Sequence, residues 1–168
     1  LSTLPTVGTL VLDKSRVEPG FYLVNTIASR YCYLVNEYGK LAKSWETVNG
    51  CICSYLLKEG PLKGYLLTME LATGVDNPGV PFILPGSGGI MRLYDWNGRC
   101  VIDQLLSSTS EFVHHDMTYD PVTGNVYALL RERKPKQEAI DKGFDMNNFY
   151  LQNYGNGSNN GTMDDSYW

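Results

Sequence analysis

Apolar and polar residues fall into short runs separated by glycine-bearing turns. Tyr31-Cys-Tyr-Leu-Val35 and Val126-Tyr-Ala-Leu-Leu130 carry the apolar and aromatic side chains of buried strands. Around them stand Asn36-Glu-Tyr-Gly39, Asp95-Trp-Asn-Gly98 and Asp120-Pro-Val-Thr-Gly124. Each is a turn-former. Glycine falls where a positive φ is needed, and Pro121 sits early in its turn, where a fixed φ is tolerated best. Long amphipathic helical stretches are missing. The pattern predicts an all-β chain of antiparallel hairpins.

The hairpins recur. Tyr33-Leu-Val-Asn-Glu-Tyr-Gly-Lys-Leu-Ala42 matches Arg92-Leu-Tyr-Asp-Trp-Asn-Gly-Arg-Cys-Val101. Leu34, Gly39 and Lys40 are answered by Leu93, Gly98 and Arg99 at one constant offset. The segments that follow also match: Tyr65 and Leu67 are answered by Tyr127 and Leu129. Each unit reads strand, turn, strand, loop, strand, turn, strand. Such units at a period of about 60 residues point to a β-propeller, whose blades are four-stranded sheets arranged radially. Two units do not close a ring of about four to eight blades. The expected fold is therefore propeller-like and incomplete: one partial domain over 1–168, with four-stranded antiparallel blades over 20–71 and 89–133. A fragment of a longer chain is the favoured explanation. A small two-sheet β-sandwich is the alternative.

Residues 72–88 read as a long loop broken by three prolines, Pro78, Pro81 and Pro85. Long ordered loops often carry function. The run Gly86-Ser-Gly-Gly89 has the composition of a loop that hugs a phosphate or sulfate through backbone N–H groups. It lacks the Gly-Lys-Ser/Thr ending of a phosphate loop. Residues 135–142 read as a short helix opened by Pro135 and stopped by Gly143. Residues 144–168 form a polar tail without periodicity. Its two sequons, at Asn156 and Asn160, mark exposure more than glycosylation.

Composition adds to this picture in three places. Twelve tyrosines and seventeen glycines reinforce the strand-and-turn reading. A net charge of -4, with no uninterrupted basic run, argues against a nucleic-acid partner. No apolar run approaches the about 18 residues of a membrane span. No signal peptide is visible, but the sequence starts at Leu1 rather than methionine, so that says little about export. Of the four cysteines, Cys51 and Cys53 fall on one strand face without zinc-like spacing, and buried thiols packing as small hydrophobes are expected. One disulfide is compatible with the count, with its pairing open.

Both histidines stand together in Phe112-Val-His-His-Asp116, just ahead of a turn, with Arg131 on the return strand. Imidazole is the side chain most often used as base, acid or nucleophile near neutral pH. This segment holds the candidate chemistry. Side chains alternate along a strand, so only one histidine is expected to face a pocket, with Asp116 sharing the face of His114. If the turn is residues 121–124, His114 lies opposite Arg131. A loop one residue different puts His115 there.

Taken in order, these pieces resemble the arylsulfotransferase (aryl-sulfate sulfotransferase) family. Phe21-Tyr-Leu-Val-Asn25 and Tyr33 to Trp45 are similar to its opening hairpin. Gly89-Ile-Met-Arg-Leu-Tyr-Asp-Trp-Asn-Gly-Arg-Cys-Val101 is similar to its "G-x-(I/L)-x-x-x-D-W-x-G-x-V-x-W". Phe112 to Asp116, followed by Gly124-Asn-Val126, is similar to its "H-H-D…P-N-G-N", and Lys136 to Gly143 has a counterpart as well. The likeness covers about residues 17–144.

The resemblance implies a propeller and a PAPS-independent transfer of a sulfuryl group from a phenolic sulfate donor to a phenol acceptor. It implies ping-pong kinetics through a sulfohistidine intermediate, and no cofactor. His114 and His115 become catalytic candidates, with Asp116 and Arg131 as substrate-binding ones. Arginine binds sulfate in bidentate fashion. The family leans toward a secreted or periplasmic setting. The chain departs from the family in three places. Val101-Ile-Asp-Gln104 lacks the trailing tryptophan, the "P-N-G-N" turn is Pro121-Val-Thr-Gly-Asn125, and no histidine follows His115, whereas the family's nucleophile lies in a later blade. On this reading the chain supplies part of a sulfate-binding pocket.

Two other functions compete. One is a non-catalytic, propeller-like scaffold or interaction subunit, completed by further blades or a protein partner. The other is a metal site on His-His-Asp. Consecutive strand residues do not all face one ion, so no metal is expected.

Overall fold

The hairpins announced by the turn residues are present in a computed structural model, which describes residues 12–72, 86, 88–108, 110–132, 134–143 and 166–167. The chain divides into two compact units, Leu1–Leu130 and Arg131–Trp168. The first is all antiparallel β. Strands β1 (Phe21–Asn25), β2 (Tyr31–Asn36) and β3 (Leu41–Glu46) form one sheet in that order. Strands β4 (Cys51–Leu56), β5 (Leu66–Leu71), β6 (Gly89–Tyr94) and β7 (Cys100–Leu105) form a four-stranded meander. Strand β8 (Glu111–Tyr119) pairs with β9 (Val126–Glu132), whose last residues open the second unit.

The turns explain the pairing. Between β2 and β3, the Asn36 side chain accepts the N–H groups of Tyr38 and Lys40, and Gly39 takes φ +71°. Between β6 and β7, the Asp95 side chain accepts the Arg99 N–H, and Gly98 takes φ +90°. Both hairpins carry a register shift at the same repeat position, Leu34/Val35 and Leu93/Tyr94. The two hairpins thus share their turn chemistry and the place of the register shift.

The strands group differently from the two four-stranded units expected over 20–71 and 89–133. The described sheets of the first unit have three, four and two strands. Strands β4 and β5 join β6 and β7 because β5 is buried on both faces and needs a neighbour along each edge. Its residues Leu66, Leu67, Thr68, Met69 and Glu70 are all buried. Leu66 packs with Cys32, Leu34, Trp45, Cys51 and Tyr94 on the β1–β3 side. Leu67 and Met69 pack with Leu57, Leu93, Val113 and Met117 on the β8 side. The four-stranded sheet is the middle layer of a face-to-face stack. Each fully buried leucine contributes roughly 1.5–3 kcal/mol.

One polar network lies inside that stack. The Glu70 carboxylate is fully buried and accepts from Arg92, Tyr94, Thr68 and the backbone N–H of Asn49. Arg92 also pairs with Asp103 at 3.1 Å. A carboxylate at this depth needs such complete partnering, because an unpaired one is too costly to bury.

In the second unit, β10 (Lys134–Pro135) pairs with β11 (Ser166–Tyr167), and α1 (Lys136–Asp141) follows β10. The short helix lies within the predicted 135–142. Pro135 stands just before its first turn, and Gly143, at φ +89°, ends it by donating to the Ile140 carbonyl. The two sequons and most of the polar tail lie outside the described residues, as does most of the loop over 72–88.

Candidate functional site

Strand β8 carries both histidines, and it is not regular there. His115 takes φ +62°, in the left-handed region that non-glycine residues rarely enter. Backbone held there costs on the order of 1–3 kcal/mol and persists where its surroundings enforce it. The surroundings are the glycines ahead of β6. The His115 N–H donates to the Gly86 carbonyl at 2.8 Å, and the Gly88 N–H donates to the Val113 carbonyl at 3.0 Å. The two bonds tie Gly86 and Gly88 to β8. A Cβ on Gly86 would stand 2.5–2.7 Å from the His115 ring atoms, so only glycine fits over that imidazole.

This arrangement uses part of the Gly86-Ser-Gly-Gly89 run, expected to suit a phosphate or sulfate, within the fold. The Gly88 N–H is already committed to β8, and Gly86 contributes a carbonyl rather than a donor. Ser87 lies outside the described residues.

The left-handed turn at His115 also breaks the alternation that should have sent the two rings to opposite faces. Their centroids are 3.8 Å apart at 74°, and their Nδ1 atoms are hydrogen-bonded at 2.8 Å. One Nδ1 must carry the proton and the other must present a lone pair. In neutral imidazole the two nitrogens have opposite roles. The ring that donates through Nδ1 therefore has a bare, nucleophilic Nε2, and the ring that accepts through Nδ1 has an Nε2–H donor. The Nε2 atom of His114 is buried in the fold, and the exposed ring is that of His115.

Asp116 comes next on the strand. Its Oδ1 accepts from the Tyr55 hydroxyl, across from β4, and from the Met117 N–H at 2.8 Å. The bond to Asp116 is the main cause that raises the Tyr55 phenol above its ordinary range, with burial adding to it. Cys53, two residues back on β4, is pushed up to about 11 by burial and by the Asp116 charge. The thiol is therefore neutral at physiological pH. Tyr55 also lines a cleft of about 960 Å³, together with Phe21, Tyr22, Leu34, Leu56 and Trp96.

Three of the four candidate residues thus fall in one short segment of the first unit. His114 is half-buried, while His115 and Asp116 are exposed. The turn after β8 is closed by the Asp120 N–H donating to the Asn125 carbonyl, so its loop is residues 121–124, the first of the two alternatives. Arg131 is a half-buried residue of the second unit and is described with that unit. Tyr55, Cys53 and the close fit of Gly86 were not anticipated. The Tyr55 partner is 61 residues away, and no local signal marks it. Among the described residues no group of three or more His, Cys, Asp or Glu side chains is placed to hold a metal ion. Among them, too, no helix is long and apolar enough to cross a membrane. Comparison with protein families, with characterised proteins and with solved structures finds no match.

Proposed function

We propose that this chain is part of an arylsulfotransferase-type enzyme, and that His114 and His115 together handle the sulfuryl group. The observation that carries the reading is the Nδ1–Nδ1 bond between the two rings. It sets the tautomer of the exposed His115 ring: with its Nδ1–H donated to His114, its Nε2 is unprotonated. The His115 Nε2 attacks the sulfur of a phenolic sulfate; the N–S bond forms, the S–O bond to the ring breaks, and the phenolate leaves. The His114 Nδ1, accepting that hydrogen bond, steadies the His115 ring as positive charge develops on it. A second phenol then attacks sulfur; its O–S bond forms as the N–S bond breaks, its proton passes to water, and the imidazole is restored. Asp116 and Tyr55 brace the strand from the β4 side.

The aromatic cleft supports this reading, because Tyr55 belongs both to the cleft and to the bond with Asp116. A flat, apolar phenol suits such a lining. The reading stands without Arg131, and it includes the family's secreted or periplasmic setting. In it, the three sheets of the first unit are successive sheets of an incomplete propeller.

A second reading, a scaffold or interaction subunit, is favoured by one feature. The outer face of β1–β3 exposes Tyr22, Val24, Tyr31, Tyr33 and Leu41. Such a face suits a neighbouring sheet or partner.

The test is transfer from 4-nitrophenyl sulfate to phenol by the full-length protein that contains this chain. His114→Ala and His115→Ala are each expected to lose at least about a hundredfold in rate, the lower end for a positioned acid–base group. The ring that carries the nucleophile should lose more. Wild-type rates in both variants would refute the histidine assignment. No turnover by the full-length protein would favour the scaffold.

A further inference from the structure

Two thiols outside that site lie within reach of each other. Cys32 on β2 and Cys51 at the start of β4 have their sulfurs 3.7 Å apart, and both residues are fully buried in the core between the two larger sheets. We propose that Cys32 and Cys51 are a disulfide-forming pair, which staples the three-stranded sheet to the four-stranded one when the chain folds under oxidising conditions. This inference is independent of the sulfuryl-transfer reading.

The backbone holds the pair in place. The Cys51 N–H donates to the Ser29 carbonyl and its own carbonyl accepts from Ala28, both at 2.8 Å. Cys32 is paired across its sheet with Asn25 and Trp45. A disulfide needs the sulfurs at ~2.05 Å, so they must close by roughly 1.7 Å, a movement within the reach of side-chain rotation. The other two thiols have other contacts, although Cys100 packs against the same cluster. Cys100 donates to the Ile102 carbonyl, and Cys53 packs on the β8 side of the sheet.

The oxidant class is a small disulfide such as oxidised glutathione. A Cys32 thiolate attacks one glutathione sulfur and releases the first glutathione as thiol. Cys51, on losing its proton, then attacks the Cys32 sulfur and releases the second. Two protein thiols and one oxidised glutathione become one protein disulfide and two reduced glutathiones, a two-electron exchange. The hydrogen bond from Cys51 holds the Cys32 thiol below its ordinary range, against the pull of burial, which favours Cys32 as the attacking sulfur. Both sulfurs are sealed from solvent in the folded protein, so the reaction belongs to folding or to an opened state.

The experiment refolds the full chain in a glutathione redox buffer and, separately, with excess dithiothreitol. Thiols are counted after acid quench and denaturation, and unreduced peptides are mapped by mass spectrometry. The oxidised protein should show two free thiols and a Cys32–Cys51 linked peptide. Closing a loop of about 20 residues should raise its folded-to-unfolded ratio on the order of a hundredfold. The double variant Cys53→Ser/Cys100→Ser should still lose two thiols on oxidation. Four free thiols in natively folded, oxidised wild-type protein would overturn the proposal, as would a bridge involving Cys53 or Cys100.

Discussion

Replacing Glu70 by alanine should cost more stability than any ordinary truncation of its size. The Oε2 atom accepts from Arg92 Nη1 at 2.6 Å and from the Asn49 N–H at 2.7 Å. The Oε1 atom accepts from the Tyr94 hydroxyl at 2.7 Å and from Thr68 at 2.8 Å. Alanine takes that acceptor from all four donors in a site closed to water; Thr68 keeps the Arg92 carbonyl at 3.3 Å and Arg92 keeps the Asn49 Oδ1 at 3.2 Å. It also leaves a guanidinium whose side chain is 7% exposed with Asp103 as its remaining carboxylate, and that group is 59% exposed. Breaking a buried pair from one side costs about 3–5 kcal/mol, mostly through the charge left behind. That is a large share of the roughly 5–15 kcal/mol that holds a domain together. With a urea slope of about 2 kcal/mol/M, the unfolding midpoint should fall by about 2 M. Arg92→Met removes the uncompensated charge, so the double variant should be more stable than the sum of the two singles predicts. Urea titrations of the four proteins make the test. A cost for Glu70→Ala below about 1 kcal/mol, or strict additivity in the double variant, would refute the account of a charge-coupled core.

Gly86→Ala should destabilise the protein by about 1–3 kcal/mol, since alanine is strained at φ +80° and its Cβ collides with the His115 ring. The imidazole ¹⁵N resonances of both histidines should move with it; unchanged resonances at unchanged stability would rule out the close fit. The Cys53 thiol should alkylate about a hundredfold more slowly at pH 8 than an ordinary exposed thiol, because its proton is held up to about 11 rather than near 9.0. The folded state holds that proton more tightly than the unfolded state. Its contribution to stability is therefore complete below about pH 9 and is lost as pH rises through about 11. Iodoacetamide labelling across that range, read by mass spectrometry, checks both points, and an apparent pKa near 9 would contradict the burial argument.

Local chemistry accounts for what was legible in the chain itself. Asn36, Gly39, Asp95, Gly98 and Asp120 make turns with neighbours a few residues away, so their roles were readable from spacing alone. The short helix before Gly143 follows from the same kind of signal, and the position of the histidine pair on a strand before a turn was equally plain. What escaped depends on which edges and faces meet. The four-stranded sheet takes two strands from each of the two units expected from the sequence, because β5 needs burial on both sides and hydrogen bonds along both edges. Strand alternation predicted opposed imidazoles, and a single left-handed residue set them against each other under a glycine from a distant loop. Tyr55 reaching Asp116, Cys32 facing Cys51 and Glu70 inside the core are likewise contacts between strands far apart in sequence. Spacing along a chain determines hairpins; only the stacking of those hairpins decides which side chains share a space.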